Sequence, residues 1–179
     1  LISATLVQKF DSILPVGVYL AFLGIVAGSS AFLMKPTPQD LRRRTDGTRW
    51  TNRQLLWHMV FGYLIVRTLL PLVHTLGRLG RSRRFAATLD VAQRPFHWIN
   101  YAGSAGGGLL LTPHRMAAIM DATINALGRK LDEETPTALA LTMHFPTRWD
   151  PYFQPTMSVL DVYHYGTQHY DHHRRQLTL

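Results

Sequence analysis

The sequence contains no cysteine in its 179 residues. That absence excludes disulfide bonds, thiolate nucleophiles and every cysteine-rich zinc site. A transition metal in this protein must therefore be bound by histidine, aspartate or glutamate, and the chain offers 9 histidines. The sequence also lacks a Gly-x-Ser-x-Gly elbow and a His-Glu-x-x-His motif, which disfavours serine-hydrolase and zincin chemistry. The absence of cysteine fits the cytoplasm, the compartment that we expect.

Acidic residues are scarce, with 11 Asp and Glu against 19 Lys and Arg, and the formal net charge is +8. A positive charge of this size permits binding to nucleic acid or to an acidic membrane surface. The arginines, however, stand in separate clusters at residues 42–44, 81–84 and 174–175. Aromatic residues do not interleave these clusters as they do in proteins that bind single strands. We expect solvated helix ends and loops, and no nucleic-acid partner.

Residues 13–34 form a run of 22 residues without a charge. The run is long enough to cross a bilayer, and Gly24 and Gly28 give the small-residue spacing of packed membrane helices. A fully buried core helix or a helix between subunits has the same pattern, and Pro15 and Gly17 weaken the membrane interpretation. We expect a core or interface helix in a homodimer, with a membrane span as the alternative.

Helical patterns dominate the rest of the chain. Thr51 and Gln54 form a capping box ahead of a helix predicted over residues 52–76. A second N-terminal capping pattern precedes a helix predicted over residues 113–131. The last helix is predicted over residues 156–177, and with the apolar run these segments make four main helices.

The segments between the predicted helices are predicted to be connections. Residues 77–94 are basic and only partly periodic, which leaves room for a short helix. The glycine-rich stretch over residues 100–113 is predicted to break regular structure. Residues 132–155 carry four prolines, and they are predicted to form a long connection without strands. The sequence therefore predicts a single all-α domain over residues 1–179, a four-helix bundle with long crossover connections.

The last helix carries three histidines within five residues, and helical periodicity separates them. His169 and His173 follow Val162 and Gly166 on one face of a helix, which we predict to be the inward face. His172 falls on a more polar stripe. Two imidazoles one turn apart can converge on one ion, with metal–nitrogen distances of roughly 2.0 to 2.1 Å.

A third histidine is predicted to point inward from the second helix. His58 lies in line with Leu55, Gly62 and Ile65, on an otherwise apolar stripe. A single buried histidine is more often hydrogen-bonded in a protein core than bound to a metal. Three neighbouring imidazoles would each need polar partners, at about 1 to 3 kcal/mol for an unsatisfied group. Spacing alone leaves both interpretations open, a metal site and a set of structural histidines.

The capped segment "WTNRQLLWHM" and the final "HYDHHRRQL" together resemble the DinB/YfiT-like superfamily of bacterial four-helix bundles. The resemblance extends from about residue 40 to residue 179. It implies that His58, His169 and His173 bind a divalent ion, zinc or nickel. It also implies an enzyme acting on a small molecule, either a thiol-dependent transferase that uses a low-molecular-weight thiol or a metal-dependent hydrolase.

Three neutral ligands would leave open coordination positions on the ion. The expected reactive group is then a metal-bound water or a substrate thiolate, rather than a particular side chain. The segment "MHFPTRWDPYFQP" could fold over the ion, because it leads directly into the last helix. It supplies five predicted substrate-binding residues: His144, Arg148, Trp149, Asp150 and Tyr152.

Arg148 suits a carboxylate on the substrate or on a thiol cofactor. The alternative for the aromatic residues of this segment is that they only cover the end of the bundle. Two alternatives to an enzyme also remain at this point. One is a ligand-binding or stress-response bundle with a structural metal, and the other is a bundle anchored in a membrane through residues 13–34.

Overall fold

The computed structural model describes residues 36–179, and this part of the chain is mostly helical with one small two-stranded sheet. The predicted helix over residues 13–34 lies outside the described residues, so its role stays a prediction. The elements in chain order are α1 (Pro38–Arg42), α2 (Asn52–Leu79), α3 (Ser82–Val91), α4 (Gln93–Leu110), α5 (Pro113–Glu133), α6 (Pro136–Leu139), β1 (Thr142–His144), β2 (Thr156–Ser158) and α7 (Val159–Arg174).

Helix α2 begins where its capping box predicts. The backbone N–H of Thr51 donates to the side-chain oxygen of Gln54 at 2.9 Å, and the Thr51 hydroxyl accepts from the backbone N–H of Gln54. The C-cap of the helix is Gly80, whose φ of 62° is left-handed and suits glycine. Pro71 lies inside the helix, which continues to Leu79 rather than ending near residue 76.

Helix α2 is the central element, and it packs against α4, α5 and α7. The core between these helices includes Leu70 from α2, Met116 and Leu127 from α5, and Tyr163 from α7, all fully buried. Among the residues that the structure describes, α2 is the one helix long and apolar enough to cross a membrane by length and composition. The buried helix at the centre of a protein core has the same composition.

The prediction of irregular structure over residues 100–113 is wrong, because α4 runs through the glycines to Leu110. These glycines let α4 approach α2 closely. A Cβ atom on Gly108 would lie 2.7 Å from the Cα of Gln54, and one on Gly107 would overlap the Trp57 indole. Glycine costs a helix about 0.8 to 1.0 kcal/mol relative to alanine. Close packing against α2 offsets that cost, which local composition cannot show.

The prediction for the segment before the last helix is also wrong. The segment over residues 132–155, predicted to lack strands, contains α6 and β1, and β1 pairs antiparallel with β2. Met143 and Met157 face each other in this pair, and both are buried. The last helix therefore begins at Val159, where Ser158 supplies the N-cap. Strands of three residues are too short to show an alternating pattern in the sequence.

A buried polar cluster near the C-terminal end of α2 joins this helix to α7 and to the residue that follows α5. The Nε2 of His74 lies 2.9 Å from Oε1 of Glu134, and the hydroxyl of Tyr163 donates to the same oxygen at 3.3 Å. His74 and Glu134 are both buried, at 8% and 7% exposure. Removing the carboxylate would leave the Nε2 of His74 without its hydrogen-bond partner in an apolar environment.

We expect Glu134→Ala to lower the free energy of unfolding by about 1 to 3 kcal/mol, the usual effect of removing the partner of a buried hydrogen-bonding group. Urea denaturation measures the change. The neighbouring Glu133 is exposed and is the matched control, because Glu133→Ala should shift stability by no more than about 0.5 kcal/mol. Equal unfolding midpoints for the two variants would contradict the role of the cluster.

Candidate metal centre

The structure brings together the three histidines that the sequence singled out. His58 comes from α2, and His169 and His173 come from α7. One ring nitrogen from each histidine lies within 4.8 Å of the other two. His58 and His169 are buried, and His173 is half-buried. Across residues 36–179, this is the one group of three or more such side chains with metal-ligand spacing.

The segment after α7 is tied to the start of α2, which places His173 beside His58. The side chain of Asn52, the first residue of α2, donates to the backbone carbonyl of Asp40 at 2.8 Å. Its amide oxygen accepts from the backbone N–H of Thr178 at 3.0 Å. Asn52 is fully buried, so these bonds fix the position of both helix ends.

Gly62 makes room for the third imidazole. It lies one turn after His58 on α2, and a Cβ atom there would lie 2.8 Å from both Nδ1 and Cε1 of His169. The opposite relation holds on α7, where a Cβ on Gly166 would lie 2.7 Å from the ring of Tyr63. These two glycines let α2 and α7 approach closely enough for the three rings to meet.

Neighbouring side chains determine which ring nitrogens carry protons. The Ser104 hydroxyl donates its proton to the carbonyl of Asn100 at 2.7 Å, so its oxygen accepts from Nδ1 of His58 at 3.0 Å. The side-chain oxygen of Gln176 accepts from Nδ1 of His173 at 2.7 Å. Both rings therefore carry hydrogen on Nδ1 and a lone pair on Nε2.

The two lone pairs face each other, which fits a shared cation. Nε2 of His58 and Nε2 of His173 are 3.1 Å apart. This distance would suit a hydrogen bond, but neither nitrogen has a hydrogen to donate in these tautomers. Two facing lone pairs repel unless a positive charge lies between them. The donor set is three neutral imidazoles, and two of them, His58 and His173, have a hydrogen-bond partner on the outer nitrogen, as is typical of metal-binding histidines.

Burial keeps the three imidazoles neutral. Desolvation, followed by the nearby His173, lowers the pKa of His58 to about 3. Desolvation also lowers the pKa of His169 well below its ordinary value, with the neighbouring histidines acting in the same direction. The pKa of His173 is lowered by burial too, although its hydrogen bond with Gln176 opposes the shift. Metal binding requires deprotonated imidazole, and these rings are neutral at pH 7.

We expect the metal-free protein to lose stability as the pH falls below about 6.5. In that range the imidazoles of the unfolded chain take up protons, whereas the buried rings stay neutral until lower pH. The unfolded state then binds more protons, so the free energy of unfolding decreases as the pH decreases. Each ring contributes up to about 1.4 kcal/mol per pH unit.

Urea midpoints between pH 7.5 and 5 measure this dependence on the EDTA-treated protein. His169→Ala should flatten the slope, because it removes one buried imidazole. His164 is exposed on the same helix, so His164→Ala is the control and should leave the slope unchanged. The interpretation fails if both variants keep the slope of the original protein.

Ser104 gives a separate test of the tautomer assignment. We expect Ser104→Ala to weaken metal binding by roughly 10- to 100-fold, the usual effect of removing an outer partner of a ligating histidine. Thr68 also bonds back to a helix carbonyl but lies on the surface, so Thr68→Ala is the matched control. Competition with a chromophoric chelator measures the affinity, and equal affinities would contradict the assignment.

A cavity of about 420 Å³ adjoins the three histidines. It is bounded by α2, α3, α4, α7 and the segment between the two strands, and most of its lining is apolar or aromatic. Three of the predicted substrate-binding residues line it: Trp149, Asp150 and Tyr152. The segment that carries them therefore folds over the site, as its position before the last helix predicts.

Polar contacts hold this segment against the helices. The carboxylate of Asp150 accepts from the hydroxyl of Tyr165 at 3.0 Å and from the backbone N–H of Tyr152 at 2.9 Å. The Tyr152 hydroxyl lies 3.1 Å from Nδ1 of His172, the neighbour of His173 that does not belong to the group of three. The Trp149 indole donates to the carbonyl of Leu89 at 2.7 Å.

The other two predicted substrate-binding residues, His144 and Arg148, are outside the cavity lining. His144 lies in β1, and its Nδ1 is 3.2 Å from the hydroxyl of Ser82. Arg148 is exposed, and its backbone N–H donates to the carboxylate of Asp90. Neither residue is therefore among those that a molecule in the cavity would contact.

Sequence reasoning missed several residues at the site. Ser104 was hidden in the glycine-rich stretch, where a helix was not expected. Gln176 lies three residues after His173, so its spacing in "HYDHHRRQL" could have identified it. Trp50 precedes α2, and its ring centroid is 4.4 Å from that of His58. The tryptophan covers the His58 imidazole and lines the cavity.

Comparison with known families identifies the superfamily to which the chain belongs. The family model of the DinB superfamily matches residues 28–177, and the chain therefore belongs to the DinB superfamily. The resemblance seen in the two sequence motifs is thus confirmed. Comparisons with curated proteins and with solved structures gave no match. Family membership and the three clustered histidines are established on separate grounds, one from the sequence and one from the geometry.

Proposed function

We propose that the protein is a divalent-metal-dependent enzyme of the DinB superfamily that acts on a small molecule, by thiol-dependent transfer or by hydrolysis. The observation that carries the proposal is that one ring nitrogen from each of His58, His169 and His173 lies within 4.8 Å of the other two. Zinc or nickel suits three imidazole ligands. The cavity beside the histidines provides the space for a substrate.

A divalent ion, when bound, would act as a Lewis acid that lowers the pKa of a bound water or accepts a thiolate. The residues of this chain would hold and orient it. The neutral nitrogens come from His58, His169 and His173. Hydrogen bonds from Nδ1 of two of these rings are accepted by the side chains of Ser104 and Gln176. Asp150 and Tyr152 hold the covering segment in place above the histidines.

The number of ligands favours a catalytic site over a structural one. Structural zinc sites usually have four protein ligands, whereas catalytic sites usually have three. Within residues 36–179, no fourth histidine or carboxylate belongs to the group. All three histidines line the cavity, so a small molecule in the cavity would reach the ion.

The wider arrangement is also part of this proposal. We propose that α2, α5 and α7 are three members of a four-helix bundle of the DinB type. We propose a cytoplasmic homodimer, and the exposed Trp98, Ile99, Leu109 and Leu110 on α4 support a subunit contact. Light scattering of the purified protein would give the mass in solution.

Cobalt substitution tests the open coordination that the proposal requires. We expect the cobalt-loaded protein to develop a sulfur-to-cobalt absorption band when 2-mercaptoethanol is added, and to change its visible spectrum with azide. A spectrum unaffected by both reagents would mean a closed site. That result would favour the alternative, a non-enzymatic bundle in which the metal is structural.

A further inference from the structure

The part of the cavity lining that comes from residues 36–179 is almost without charge, although the chain as a whole is strongly basic. None of its lining residues within residues 36–179 is Lys or Arg, while the sequence has 19 of them. Asp150 is the one carboxylate among those lining residues. The apolar part of the lining includes Phe61, Ile65, Leu69, Phe85, Phe96 and Phe145.

Asp150 makes the cavity unfavourable for an anion away from the histidines. Its two oxygens are held by Tyr165 and by the backbone of Tyr152, so the negative charge has a fixed position beside the cavity. Like charges repel strongly where water is excluded. An anionic group placed among the aromatic side chains would lose hydration, and none of the lining residues within residues 36–179 is a Lys or Arg that could compensate this loss.

Arg148 does not relieve this cost. The sequence made it the expected partner of a substrate carboxylate, but its side chain is exposed and outside the lining. Its neighbour Trp149 lines the cavity instead. The Trp149 ring stacks on that of Phe96, with ring centroids 3.9 Å apart. The stacked pair offers a flat apolar surface rather than a charged one.

We propose that the cavity takes substrates with a neutral, largely apolar body, whose single polar or anionic group lies at the end that reaches the three histidines. This inference rests on the proposed function, since it concerns the same site. It disfavours thiols that carry carboxylates on their body. A cavity of about 420 Å³ is within the range of sites for small organic molecules.

Two thiols with the same reactive end test the inference on the zinc-loaded protein. 6-Mercapto-1-hexanol and 6-mercaptohexanoate differ only at the far end of the chain, where one is neutral and the other is anionic. We expect the alcohol to bind at least about tenfold more tightly, which is a difference of about 1.4 kcal/mol. Titration calorimetry measures both constants. Equal binding, or tighter binding of the acid, would overturn the inference.

A matched pair of variants checks that the cavity is responsible. Leu69 lines the cavity and is 42% exposed, so Leu69→Lys should fold and should bring the two dissociation constants closer together. Leu79 lies on the same helix, is 62% exposed and is outside the lining, so Leu79→Lys should leave their ratio unchanged. If both variants show the same ratio of the two dissociation constants, the cavity does not distinguish the two thiols, and the inference is overturned.

The inference and the proposed function can fail separately. If the protein binds no zinc, or if neither thiol binds, the proposed function fails. The preference of the cavity is then measured with 2,6-naphthalenedimethanol and naphthalene-2,6-dicarboxylate, which need no metal. In either orientation the second compound places a carboxylate away from the histidines. Tighter binding of the alcohol would support the neutral cavity even in that case, and equal or tighter binding of the acid would overturn it.

Discussion

Replacing both His169 and His173 with alanine should reduce the bound divalent metal from about one ion per chain to almost none. Two of the three ligands are lost, and the remaining His58 is a single imidazole on α2. One neutral nitrogen cannot hold zinc or nickel against dilution, because protein sites for these ions use at least three ligands. Elemental analysis after loading with zinc or nickel and exhaustive dialysis measures the content.

The control for this experiment comes from the same helix. His164 is exposed and His172 bonds to Tyr152, and neither belongs to the group of three. His164→Ala and His172→Ala should therefore keep the full metal content. A His173→Ala variant is included because His173 is half-buried, so its removal disturbs the fold less than that of His169. Unchanged metal content in the double variant would remove both the metal site and the proposed enzyme.

Stability gives a second measure of the same loss. A ligand that binds only the folded state raises the unfolding free energy by an amount that grows with its concentration, about 2.7 kcal/mol at a hundredfold excess over the dissociation constant. The original protein should therefore gain thermal stability when zinc is added. The double variant should not gain any, even if its own melting temperature is lower for reasons of packing. This difference separates loss of the site from loss of the fold.

The parts of the structure that could be predicted from the sequence depend on neighbours within one helical turn. The capping box of Thr51 and Gln54 and the inward spacing of His169 and His173 are both local patterns. Helical geometry converts such spacings into faces without reference to the rest of the fold. The start of α2 and the grouping of the last-helix histidines were therefore available from the sequence.

The parts that could not be predicted depend on residues far apart in the chain. Local propensity argues against a helix at residues 100–113, and contact with α2 reverses that preference. Ser104 acts on His58 across 46 positions, so no short pattern connects them. The exclusion of Arg148 from the cavity follows from the stacking of its neighbour Trp149 on Phe96. A sequence pattern shows that a segment can cover a site but not which of its side chains turn inward.

Replacing two of the glycines of α4 with alanine should change the free energy of unfolding in opposite directions. Among the atoms of residues 36–179, none would lie within 4 Å of a Cβ on Gly106, whereas a Cβ on Gly108 would lie 2.7 Å from the Cα of Gln54. Gly106→Ala should raise the free energy of unfolding by about 0.5 to 1 kcal/mol, since alanine favours helix. Gly108→Ala should lower it by about 1 to 3 kcal/mol, the usual cost of overpacking.

The clash at Gly108 is with backbone, so it cannot be relieved by rotating a side chain. Helix α4 must move away from α2, and Ser104, one turn earlier, would then move away from His58. We therefore expect Gly108→Ala to weaken metal binding as well, while Gly106→Ala leaves it unchanged. Urea denaturation and chelator competition measure the two effects. If residues 100–113 were irregular, both substitutions would have small effects, and neither would change the affinity for metal.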